Sequence, residues 1–142
     1  MSTTPAPTRF DPETGTDWAS LEGTLVVFAD GEGALGPAAK AVDALMGGAL
    51  ARAAAGKGFK ARPGTVVSLA WPAGLAAERV LLACLGPEPD RAAARKTGGA
   101  VAARLGEGAA HVATAGLAEA PLVAEMVWAT VVRLYDFREY RT

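Results

Sequence analysis

Two apolar runs constrain this chain more than any other feature: Thr24-Leu25-Val26-Val27-Phe28-Ala29 and Arg79-Val80-Leu81-Leu82-Ala83-Cys84-Leu85. Neither alternates polar with apolar residues. A strand with one wet face repeats at period two, so an unbroken run rich in β-branched residues predicts a strand buried on both faces. Gly23 and Asp30-Gly31 bound the first run, and Gly86-Pro87 stops the second. A sheet with two dry faces needs cover on each, and helices are the usual cover. Thr65-Val66-Val67-Ser68-Leu69-Ala70 reads as a third strand running into the Trp71-Pro72 turn, and His111-Val112-Ala113-Thr114-Ala115 as a weaker fourth.

Helical signals fall between these runs. Pro37 suits a first helical turn, where its missing N–H costs nothing. Behind it Leu35, Ala38, Val42, Leu45 and Met46 make one apolar stripe, which Gly47-Gly48 ends or bends, with a short helix over Leu50–Ala55 beyond. Pro89 opens an alanine-rich helix through Leu105, with Gly98-Gly99 predicted to interrupt it, and Pro121 starts a last helix whose stripe is Val123, Met126, Val127, Thr130, Val131 and Leu134. Asp17–Leu21 reads as one helical turn. Residues 1–15 carry three prolines and form a flexible N-terminal segment, with Thr8–Phe10 positioned to pair at a sheet edge. The expectation is a single α/β domain over residues 16–142, a mixed β-sheet flanked by helices in three layers. Of the 142 residues 33 are alanine, so the helices bury little surface each and can approach a sheet or another subunit closely.

Charge and composition narrow the function. With 51% hydrophobic residues and a net charge of −1 the chain is not disordered as a whole. The same near-neutral balance argues against a basic nucleic-acid module, which needs a cationic face. One cysteine and one histidine exclude a disulfide scaffold and a Cys/His zinc cluster. No run reaches the length of a membrane span, and Met1–Asp11 has neither the basic start nor the apolar core of a signal peptide, so a soluble, cytoplasmic protein is expected.

Each motif that would carry chemistry has a plainer reading beside it. Gly31-Glu32-Gly33-Ala34-Leu35-Gly36 matches G-x-G-x-x-G between a strand and a helix, where glycines let a pyrophosphate approach the helix N-terminus. The acidic ribose partner about 20 residues on is missing, since after Asp43 the next carboxylate is Glu78. A glycine-rich turn is the plainer reading. Lys57, Lys60 and Arg62 surround Phe59 and would hold phosphate or nucleic acid with the ring stacked on a base; the alternative is a solvated loop with Phe59 tucked inward. His111 has no obvious nucleophile to serve, Ser68 lacks the G-x-S-x-G elbow, and Cys84 lies mid-strand with no adjacent cation to activate it. Glu88 and Asp90, and Asp136 and Glu139, sit at presumed helix ends, where Glu88 and Asp90 would serve a helix N-terminus rather than catalysis.

Several short pieces in order resemble a known family: Leu25-Val26-Val27, Val42-Asp43-Ala44-Leu45, Gly47-Gly48-Ala49-Leu50, Gly58-Phe59-Lys60, Pro63-Gly64, Arg79 to Gly86, Gly98-Gly99, and the closing Tyr135-Asp136-Phe137-Arg138-Glu139-Tyr140-Arg141-Thr142. From about Leu25 to Thr142 the chain is similar to the N-terminal domain of the leucyl aminopeptidases, the cytosol aminopeptidase (peptidase M17) family. It departs from the family at Cys84 and Met126, where glycines are usual. The resemblance implies a macro-domain-like fold that precedes a larger C-terminal catalytic domain. That domain binds two divalent metals, usually zinc, manganese or magnesium, and releases N-terminal amino acids from peptides. It also implies hexamers, with this domain peripheral and non-catalytic. The family's metal ligands and N-T-D-A-E-G-R-type motif have no counterpart here, so no catalytic, cofactor or metal residue carries over. Two further readings follow from it. A macro-like module would bind ADP-ribose or a nucleotide through Gly31–Gly36, although the chain has no asparagine for the loop such modules use. DNA contact through Lys57, Lys60 and Arg62 would match relatives that act as DNA-binding regulators.

Overall fold

The structure is a computed structural model and describes residues 8–11, 16–31, 34–56, 62–86, 90–105, 109–114 and 120–139. Six strands and four helices occur in the order β1 (Thr8–Asp11), β2 (Thr24–Gly31), β3 (Ala34–Leu35), α1 (Pro37–Leu45), α2 (Ala49–Ala55), β4 (Val66–Ala70), β5 (Arg79–Cys84), α3 (Arg91–Arg104), β6 (Ala110–Ala113) and α4 (Ala120–Glu139). A 3₁₀ turn at Trp18–Ser20 takes the place of the predicted helical turn. The sheet order is β1-β6-β2-β5-β4, with β3 folded back onto β2. The contacts among β1, β6, β2 and β5 are parallel, and β4 joins β5 antiparallel, so the sheet is mixed. The edge pairing expected at Thr8–Phe10 is β1 against β6, with Thr8 opposite Ala110 and Phe10 opposite Val112.

The two continuous apolar runs lie side by side in the centre, Val26 opposite Leu81 and Phe28 opposite Ala83. Alternate side chains of the pair enter two separate cores. Leu25, Val27, Val80 and Leu82 meet Ala38, Ala39 and Val42 of α1 and Leu50 and Ala54 of α2, together with Trp18. Val26, Phe28, Leu81 and Ala83 meet Ala94 and Val101 of α3 and Met126 of α4 on the opposite face. The result is the three-layer α/β arrangement that the runs predict. Cys84 and Met126 both lie in these interiors.

Four details differ from expectation. Helix α3 runs unbroken through Gly98-Gly99. The pair does not interrupt the helix because Gly98 is where α4 crosses it: a Cβ there would collide with the Met126 carbonyl. Thr130 seals the crossing, its hydroxyl within hydrogen-bond reach of the Met126 carbonyl at 2.9 Å and the Gly98 carbonyl at 3.2 Å. One residue earlier, Thr97 donates to the Cys84 carbonyl at 3.1 Å and ties α3 to the sheet. Leu45, expected on the α1 stripe, is exposed. Gly74 sits against the Leu45 carbonyl, so the chain approaches that end of α1 at its backbone and not at the Leu45 side chain's outer face. On α4, Met126 and Thr130 are buried, whereas Val131 of the expected stripe faces solvent because it points away from α3. Finally, β2 reaches Gly31 and β3 follows it, so the strand-to-helix connection contains a hairpin.

The adjacent glycines should therefore respond oppositely to the same change. Gly98→Ala should destabilise by about 1–3 kcal/mol through overpacking against α4. Gly99→Ala, with nothing within 4 Å of its added carbon, should be neutral or stabilise by up to about 1 kcal/mol through helix propensity. Urea titration of the two variants measures both, and equal shifts would place the α3–α4 crossing elsewhere.

Candidate functional site

In an open α/β sheet, ligands usually bind beyond the carboxyl ends of the parallel strands, where connections diverge to either side. Here that point is the end of β2, flanked by β5 on one side and β6 on the other, and it is where the glycine-rich segment lies. The backbone there is already engaged. Leu35 pairs with Ala29, the Gly36 amide donates to the Phe28 carbonyl at 2.8 Å, and the Leu85 amide donates to the Ala29 carbonyl at 3.0 Å. A pyrophosphate loop needs its amides free and aimed at the ligand, whereas the Gly36 amide is spent on closing the hairpin. Glu32 and Gly33 lie outside the described residues. The nucleotide-binding reading of Gly31–Gly36 gains no support from this geometry.

Of the basic candidates, Lys57 and Lys60 lie outside the described residues and Arg62 is exposed. The Arg62 carbonyl accepts from the Thr65 amide, and the Gly64 amide donates to the Cys84 carbonyl at 3.1 Å, which holds the turn against the end of β5. The stem of Lys96, from α3, covers Gly64, so that a Cβ on Gly64 would lie 3.2 Å from Lys96 Cγ. Lys96 is an addition that sequence spacing could not supply, since helix packing alone brings it to this turn.

The remaining candidates are dispersed. Cys84 is buried in β5, Ser68 is exposed on the edge strand β4 opposite Leu81, and His111 is half-buried in β6 between Arg9 and Leu25. Three carboxylates are committed to the architecture. Asp43 Oδ1 accepts from the amides of Leu50 at 2.8 Å and Ala51 at 3.2 Å, which caps α2 from the preceding helix. Asp90 Oδ1 accepts from the Ala93 amide at 2.8 Å and caps α3, the role expected of it. Glu125 pairs with Arg95 across the α3–α4 seam at 3.5 Å. Glu88 lies outside the described residues, and Asp136 and Glu139 fall on the last turns of α4. Among the described residues no three His, Cys, Asp or Glu side chains converge as a metal site would require.

A cation does have a clear structural place. Arg79, at the start of β5, donates through Nε to Thr24 Oγ1 at 3.0 Å and through a terminal nitrogen to the Arg104 carbonyl at 2.6 Å. It thereby ties β2 to the C-terminal end of α3, where a positive charge meets the helix dipole favourably.

Comparison with known proteins supplies what the geometry leaves open. Residues 26–142 match the family described as the cytosol aminopeptidase family, N-terminal domain. A protein of Cereibacter sphaeroides named "Probable cytosol aminopeptidase" is 40% identical over 141 residues, covering 99% of this chain and 28% of that protein. Proteins of the same name from Dinoroseobacter shibae and Methylorubrum extorquens are 34% and 37% identical, over 80% and 84% of this chain and 23% and 25% of their own lengths. The chain thus spans between 23% and 28% of the length of these three relatives. No helix among the described residues is long and apolar enough to cross a membrane.

Because Asp43 and Asp90 act as caps, Asp43→Ala and Asp90→Ala should each lower stability by about 0.5–2 kcal/mol. Asp43→Asn and Asp90→Asn keep an acceptor and should lose less. Chemical denaturation of the four variants checks the ranking.

Proposed function

Because the chain belongs to the cytosol aminopeptidase family, as its N-terminal domain, we propose that it is the non-catalytic assembly domain of a longer cytoplasmic aminopeptidase. In this reading the longer protein removes N-terminal amino acids, leucine among them, from peptides. The polypeptide that follows this domain holds two divalent metal ions, and several copies assemble as a hexamer with this domain at the periphery. The observation that carries the reading is one of proportion: nearly all of this chain aligns with 28% of the Cereibacter sphaeroides relative. The use of Asp43, Asp90 and Glu125 in caps and a helix seam supports it, because those carboxylates are occupied in holding the fold together.

Such a domain works by presenting rigid surfaces. Its central strands are buried on both faces, and its two helical layers pack closely through small residues. The outer faces of those layers are then held in fixed positions for a neighbouring domain or subunit.

The pure 142-residue chain should show no hydrolysis of leucyl-p-nitroanilide above buffer with Zn²⁺ or Mn²⁺ added. When it replaces the N-terminal domain of the Cereibacter sphaeroides relative, metal-dependent hydrolysis should be retained, and sedimentation should give a hexamer. Metal-dependent turnover by the chain alone would overturn the assignment.

A further inference from the structure

Helix α4 carries an apolar stripe that lies exposed on the folded chain. Trp128, Val131, Val132 and Tyr135 recur at i, i+3, i+4 and i+7, the spacing of one helix face. They are 65%, 45%, 38% and 64% exposed. The opposite face of the same helix, at Met126 and Thr130, is buried against α3 and the sheet. Between residues 120 and 135 the only charged side chains are Glu125, paired across the seam, and Arg133. A helix apolar on both sides has the composition of one buried on both sides. An uncovered stripe of this kind marks an interaction surface.

We infer that this stripe is the docking surface for the catalytic portion that follows the N-terminal domain in the longer protein. The inference rests on the reading of the chain as that domain. Two arguments select this occupant over a second copy of the chain. The matched family is an N-terminal domain, and α4 is the last element among the described residues, so polypeptide that follows such a domain lies nearest to α4 in sequence. A partner tethered there is held at an effective concentration in the millimolar range. Size is the second argument. The four side chains offer on the order of 500 Å², counting each aromatic ring at roughly 150–250 Å² when fully buried. That falls short of the roughly 800 Å² per partner typical of stable complexes between free proteins. It suits the smaller interfaces, about 600–1,500 Å² in total, found between domains of one chain.

Trp71 is the rival surface. It is 75% exposed in the β4–β5 turn, with a backbone φ of 49°. It stands in a turn, far in the sequence from α4.

Hydroxyl-radical footprinting separates these possibilities, because it reads the solvent exposure of individual Trp and Tyr rings. It is applied to the 142-residue chain and to the longer protein in which this chain replaces the N-terminal domain of the Cereibacter sphaeroides relative. Oxidation of Trp128 and Tyr135 should fall about fivefold or more in the longer protein, as for rings moved from a wet surface into a dry interface core. Trp71 should be unchanged, and Trp18 protected in both. Trp128→Glu in the longer protein should restore oxidation of Tyr135. Equal oxidation of Trp128 in the two proteins would overturn the inference, as would protection of Trp71 in its place. Protection of Trp128 that grows with concentration in the 142-residue chain would also overturn it, in favour of a second copy. Metal-dependent hydrolysis by the longer protein reports separately on the domain reading. Its loss with the footprint intact would count against that reading and leave the docking surface in place.

Discussion

The burial of β2 and β5 on both faces is the constraint from which the rest of the molecule follows. Leu25, Val27, Val80 and Leu82 project to one side, and Val26, Phe28, Leu81 and Ala83 to the other, all of them essentially inaccessible to water. Leaving either set wet would cost about 1.5–3 kcal/mol for each large side chain. Two helical layers supply the cover, α1 and α2 on one face and α3 and α4 on the other. Alanine and glycine make that possible by letting helices sit close to the sheet and to each other. The crossing at Gly98 is one such approach. Thr97 and Thr130 on either side of it pair hydroxyls with carbonyls, so that close approach leaves few polar groups stranded.

The same economy explains where the charged groups went. Asp43, Asp90, Glu125, Arg79 and Arg95 all serve helix ends or the seam between helices. Short helices depend on such help, since a helix of seven residues such as α2 is not stable by its own hydrogen bonds. Asp43, Asp90 and Glu125 are in this way engaged in holding the helices in place. The chain belongs to the cytosol aminopeptidase family as its N-terminal domain, and α4 gives it an outward surface that is apolar at Trp128, Val131, Val132 and Tyr135.

The sequence was readable where local chemistry and tertiary demand coincide. Pro37 opens α1, Gly47-Gly48 separates α1 from α2 with both glycines at positive φ, and Asp90 caps α3. Thr8–Phe10 finds its sheet edge. It was misleading where a residue has two uses. Gly98-Gly99 reads as a helix breaker because glycine lowers helix propensity, yet at a crossing it is the lack of a Cβ that matters. Gly31–Gly36 reads as a phosphate loop because spacing does not reveal whether an amide is free, and here Gly36 has spent its own on Phe28. Leu45 and Val131 sit at helical spacing with buried neighbours but face solvent, since periodicity gives the faces of a helix without saying which is covered. Lys96 beside Gly64 carries no local signal at all.

From its residues alone, this polypeptide settled that it would form an α/β domain with a doubly buried sheet, because unbroken apolar runs of strand length need cover from water on both faces. The resemblance to the cytosol aminopeptidase family was likewise legible in the linear order. Tertiary structure decided the strand order, the α3–α4 crossing, the closing of the Gly31–Gly36 hairpin and the exposure of Trp128, Val131, Val132 and Tyr135. Each of those depends on which surfaces meet across long stretches of chain. Local propensity and periodicity are blind to such meetings, because they report what a segment can bury and leave open what arrives to bury it.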